Sequence, residues 1–153
     1  MSRENVELVR ALIPPPGTDL AALVRDDSVF QATVDALAPV LDPDVASVAV
    51  WQGGTTYRGV EGFRELWLDW LRPWATYNTH LDELLDAGDC VVALVRDRAR
   101  RADMDAEVEI ITGSVWQVVD GRVVHVRFYG DRREALEAVG LQSRGGAGND
   151  RTG

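Results

Sequence analysis

The chain has 153 residues, 25 acidic against 16 basic for a net charge of −9, and 46% hydrophobic residues. This length and composition make one domain with a real core, and the negative balance argues against nucleic acid or an anionic membrane as partner. Every basic residue is an arginine, which excludes a lysine nucleophile or Schiff base.

Ser2 to Ile13 reads as a helix, capped by Ser2 or Asn5, with Val6, Val9 and Ile13 on one stripe. Pro14-Pro15-Pro16-Gly17 breaks it. Thr18 or Asp19 starts a second helix through Leu20, Leu23 and Val24. Asp27 or Ser28 caps a third that carries Phe30, Val34, Leu37 and Val40, with Pro39 as a point of kinking. The β-branched run Val45 to Gln52 predicts a strand, Gly53-Gly54 a turn, and Thr55 to Arg58 a short strand. Val60 to Leu71 is the strongest helix, its Phe63, Leu66, Trp67, Trp70 and Leu71 forming a broad apolar stripe that Pro73 ends.

Strands are expected over Thr76–Leu85 and Cys90–Arg101, then a long hairpin of Glu107–Val119 and Val123–Tyr129 about Asp120-Gly121. Asp-Gly between alternating runs is a strong hairpin signal, because both turn residues must tolerate positive φ. On the first arm Val108, Ile110, Thr112, Ser114, Trp116 and Val118 share a face. On the second, Val124, Val126 and Phe128 share one face, and Val123, His125, Arg127 and Tyr129 the other. Asp131 caps a last helix that Gly140 closes, and residues 142–153 read as a disordered tail after a domain of residues 1–141. Helices followed by a strand meander are the α+β pattern: a curved, antiparallel or mixed sheet wrapped around N-terminal helices, cone-shaped, with an internal pocket.

Cys90 is the only cysteine and sits in an apolar run, so a buried inert thiol without a disulfide is expected. The N-terminus carries early acids, and no window approaches the ~20 apolar residues of a membrane span. A cytoplasmic location and no membrane partner follow as expectations. His80, His125 and Cys90 lack any ligand spacing, so no metal and no cofactor is expected. Both histidines fall on the outer sheet face by alternation.

Several segments together carry a family resemblance. They are Asn5-Val6-Glu7-Leu8-Val9-Arg10, Leu41-Asp42-Pro43-Asp44-Val45 and Tyr57-Arg58-Gly59-Val60-Glu61-Gly62-Phe63-Arg64, then Asp86-Ala87-Gly88-Asp89. Val115-Trp116 with Asp120-Gly121-Arg122-Val123, and Asp131 with Glu134-Ala135-Leu136 and Gly140-Leu141, complete the set. From about residue 2 to 141 the chain resembles the SnoaL-like branch of the nuclear transport factor 2-like superfamily. The segment 14–40 is longer than the family's usual link, and serves as lid, pocket wall or packing. In the isomerase and cyclase branches a carboxylate base stands on the first strand, and an acid or hydrogen-bond donor on the terminal hairpin. Those positions fall here at Ala49 and Ser114, so the implied base is missing, and a serine donates a hydrogen bond but stores no proton.

Asp97 interrupts an apolar strand, flanked by Arg96 and Arg98 that point the other way. Three settings stay open for it: a lone carboxylate in an apolar pocket with raised pKa and a base role, a solvated or dimer-facing group, or half of an ion pair. Trp51 and Trp116 are the expected pocket tryptophans, while Trp67 and Trp70 read as core. Ser47, Tyr57, Thr112 and Ser114 are expected to orient a ligand against them, with Phe128 as further lining. Two functional readings follow. One is a small-molecule-binding domain acting on a flat hydrophobic metabolite by cyclase, isomerase or hydratase chemistry. The other is a non-catalytic homodimeric module with a filled or vestigial pocket. In both, Val115, Val119, Val123 and Tyr129 on the outer sheet face predict a homodimer.

Overall fold

The computed structural model describes residues 2–141, and the tail expected at 142–153 lies outside them. Three helices come first: α1 (Ser2–Leu12), α2 (Leu20–Arg25) and α3 (Asp27–Leu37). Strand β1 (Leu41–Ala49) and a 3-10 turn (Val50–Gln52) lead to β2 (Thr56–Arg58) and helix α4 (Gly59–Leu71). The chain continues through β3 (Trp74–Ala87), β4 (Cys90–Arg101), β5 (Glu107–Val119), β6 (Arg122–Tyr129) and α5 (Arg132–Ala138).

Local chemistry sets these boundaries. Asp19 Oδ1 accepts from the Ala21 amide at 3.0 Å, capping α2, and from the Tyr77 amide at 3.0 Å. One side chain thus starts a helix and ties it to the edge strand β3. Asp26, one residue before the expected cap, accepts from the Val29 amide and starts α3. That helix ends at Leu37, so Pro39 lies beyond it in a turn and bends nothing. The first strand begins earlier than the residue pattern predicts. Leu41 pairs with Val123, and a register break before Ala46 accommodates Asp42-Pro43, where Asp42 accepts from the Asp44 amide. It also ends earlier, because Trp51 sits in the 3-10 turn that Gly53 closes at φ 89°.

The six strands run in the order β2-β1-β6-β5-β4-β3, with β1 parallel to β6 and every other pair antiparallel. The sheet is therefore mixed, open and curved over α1 and α4. Its inner face holds the main core of Val45, Ala49, Leu66, Val91, Ala93, Trp116, Val126 and Phe128. The hairpin turn takes positive φ at both residues, 51° at Asp120 and 76° at Gly121. A bulge then corrects the expected faces of β6. Gln117 pairs with His125 but Val118 with Val123, leaving Val124 over. Val123 thereby turns inward to join Val126 and Phe128 in the core.

The outer face is covered in part by α5. Val92, Leu94, Val115 and Tyr129 pack under Ala135 and Leu136. Gly113 permits the approach, since a Cβ there would stand 3.0 Å from the Ala135 Cβ. Val115 and Tyr129, two of the four residues that predicted a dimer face, are therefore buried under α5, and a third, Val123, is buried in the inner core. Beside α5 the face is ionic: Asp82 receives Arg132 at 2.6 Å and Arg96 at 3.1 Å, and Arg98 reaches Glu107 at 3.5 Å. His80 stands exposed beside this ladder. Among the described residues no helix is long and apolar enough to cross a membrane.

Candidate active site

A cavity of about 130 Å³ lies between the inner face of the sheet and the helices. Alternation along β4 settles its chemistry. Val95 and Asp97 line the cavity, while Arg96 and Arg98 turn to the outer ladder. Asp97 is 3% exposed. Its Oδ2 accepts from the Tyr77 hydroxyl at 2.6 Å, and its Oδ1, also buried, has no hydrogen-bond partner. The carboxylate is therefore buried on the cavity wall rather than solvated.

Burial pushes the Asp97 pKa up to about 6, against the opposing pull of the Tyr77 and Thr79 hydroxyls and the charge of Arg132. Thr79 stands directly across the strand pair from Asp97. Tyr77 is raised in turn, first by its own burial and then by the Asp97 charge, so its hydroxyl stays protonated as a donor. Arg132 lies on α5, across the sheet, where it donates to Asp82, Val95 O and Thr112 O.

The expected lining residues divide. Trp51, Thr112, Ser114, Trp116 and Phe128 line the cavity. Ser114 accepts from the Trp116 indole at 2.8 Å, so it orients that ring as well as facing the space. Ser47 and Tyr57 are not among the lining residues. Ser47 shares a face with Val45 and Ala49 on β1, the strand that α4 packs against, and is fully buried. The Tyr57 hydroxyl donates to Asp69 at 2.8 Å instead. Trp67, read as core, lines the cavity as well, while Trp70 and Trp74 stack beside Tyr77 outside it. Ala49, the implied base position, is buried in register with Phe128 and offers no ionisable group.

Of two further contributions, the sequence reading missed the first and left the second open between lid, wall and packing. One is Tyr77, whose place next to Asp97 depends on the β3–β4 register, which alternation alone does not give. The other is the helical segment 14–40. Leu20, Val24, Phe30, Val34 and Leu37 form one wall of the cavity, which makes the segment a pocket wall. Arg64 of α4 grips its α2–α3 junction, donating to Val24 O at 2.8 Å and to Asp27 at 2.7 Å while lying 4.8 Å over the Phe30 ring. The signal was the amphipathic stripe Phe30, Val34, Leu37, which needs a surface to face.

Comparison with known proteins agrees with this architecture. A family model described as a SnoaL-like domain matches residues 19–126. The fold is similar to that of a candidate SnoaL-like polyketide cyclase from Jannaschia sp. CCS1, at 16% identity and a TM-score of 0.62 over 84% of this chain and 85% of that one. An NTF2-like protein of unknown function from Burkholderia pseudomallei K96243 is similar at 17% identity and a TM-score of 0.59, over 90% and 98%. An LEH-like epoxide hydrolase from M. tuberculosis is similar at 21% identity and 0.56, over 90% of each chain. No curated protein matches the chain.

Proposed function

The chain belongs to the SnoaL-like domain family, and we propose that it encloses a small, mainly apolar molecule whose one polar group exchanges a proton with Asp97. The observation that carries this reading is a buried carboxylate with one oxygen free, facing a cavity whose other lining side chains are apolar or hydroxyl-bearing. The volume decides the size of the guest. About 130 Å³ is close to the ~150 Å³ cavity that takes up benzene in an engineered protein, so a single ring fits. A flat polycyclic metabolite exceeds it, and the space left open favours binding over a filled structural module.

In this reading acid/base work has moved from the first strand to β4. Tyr77 fixes the carboxylate by donating to Oδ2, leaving Oδ1 as the proton acceptor. A pKa of about 6 keeps the group mostly ionised at neutral pH yet basic enough to take a proton. The α2–α3 wall lays Leu20, Val24, Phe30, Val34 and Leu37 along the cavity, and this apolar lining strengthens the exchange. The cyclase and epoxide hydrolase names among the similar folds are in keeping with such chemistry. Self-association through the outer sheet face belongs to the same reading and rests on Ile111 and Val119, each 45% exposed.

The test is calorimetry with a neutral single-ring probe, benzyl alcohol, at pH 6.5 in buffers of different ionisation enthalpy. Saturable binding with proton uptake is expected, because the guest completes the desolvation of Asp97. Asp97→Asn is expected to bind without moving a proton. Absence of saturable binding, or equal proton uptake in the variant, contradicts the proposal.

A further inference from the structure

The charge in the cavity has no counterpart. Among its lining residues Asp97 is the one ionisable side chain. The groups that face it are neutral: the Tyr77 hydroxyl and Thr79 from β3, Thr112 and Ser114 from β5, and apolar rings from α4. Thr33, on α3, donates its hydroxyl to Val29 O within its own helix. The arginine whose field reaches Asp97, Arg132, is engaged with Asp82 on the far side of the sheet. A buried ion without a partner is costly, and it is relieved by a counter-charge that also fills its empty hydrogen-bond position.

The apolar part of the cavity has the matching character. Phe128 gathers the rings of Trp67 at 5.3 Å, Trp51 at 6.0 Å and Trp116 at 6.2 Å. Trp67 also meets Tyr77 at 6.1 Å, the phenol that holds Asp97. Faces of tryptophan attract cations, most strongly where water is excluded. The overall charge of −9 raises the local concentration of cations around the protein.

We infer that the guest is a protonated amine on an apolar frame of single-ring size, its N–H donating to Asp97 Oδ1 and its charge lying against the tryptophan faces. This rests on the reading of the cavity as a binding site. It adds that the polar group arrives as a cation, so that Asp97 is the anion of an ion pair assembled between protein and ligand.

The experiment compares benzylamine, protonated at neutral pH, with benzyl alcohol, a neutral donor of the same shape, on the full chain by tryptophan fluorescence and calorimetry. At pH 7 benzylamine is expected to bind at least tenfold more tightly. Its binding at pH 6 releases protons, because the cation favours ionised Asp97, whereas benzyl alcohol takes them up. Benzylamine affinity is expected to fall as pH drops through the Asp97 transition. Asp97→Asn is expected to erase the tenfold preference for benzylamine. Benzyl alcohol binding as tightly as benzylamine overturns the inference and leaves the cavity reading standing. Failure of both probes to bind wild type overturns both. The wild-type comparison of two probes decides the matter even if the variant folds poorly.

Discussion

At the scale of single residues the account turns on Asp97. Its carboxylate was legible as an interruption of an apolar strand, opposite in face to Arg96 and Arg98, but which of the two faces it takes was not, and it takes the cavity wall. Its hydroxyl partner was not legible, because Tyr77 meets it only through the register that pairs Thr79 with Asp97. Ser47 and Tyr57 were misjudged for the same kind of reason: α4 packs against the strand of one, and Asp69 captures the other. A buried acid with a raised pKa leaves a signature in stability. The folded-state value of about 6 lies above the ordinary aspartate value of 3.8, so folding is favoured by this group at low pH. That contribution is lost as pH rises through about 6, and the loss amounts to about 3 kcal/mol. Asp97→Asn is expected to match wild type below about pH 3.8 and to exceed it in urea unfolding at pH 8. A difference that stays constant across that range contradicts the burial of the charge.

At the scale of elements, the helices 20–37 and the strand hairpin show what patterns convey. The Asp-Gly turn and the alternation of β5 placed Thr112, Ser114 and Trp116 on one face, and all three line the cavity. On β6 the same rule failed at Val123, because a bulge spends one residue without reversing the face and carries no residue signal here. The α2–α3 segment was recognised as two helices, but its role as a wall depends on the Arg64 clamp from α4, distant in sequence. Removing that clamp is expected to loosen the wall alone. Arg64→Met keeps the apolar stem and loses the bonds to Val24 and Asp27 together with the contact over Phe30. Each such bond contributes roughly 1 kcal/mol or more, so amide exchange across α3 is expected to accelerate about tenfold while β4 and β5 keep their protection. Uniform acceleration across the sheet contradicts a local clamp.

At the scale of the whole molecule, composition and element order were enough for the cone, because helices followed by long antiparallel strands have few ways to bury their apolar faces. The outer face was less legible. Its apolar residues looked like a dimer surface until α5 was seen to cover Val115 and Tyr129, an approach that Gly113 makes possible. What the whole fold produces is a mainly apolar cavity with a single charge at its wall. A carboxyl-resolved NMR titration, with Asp97→Asn to assign the resonance, tests that most directly. The account predicts a midpoint for Asp97 near 6, and a midpoint at or below the ordinary aspartate value of about 3.9 contradicts it.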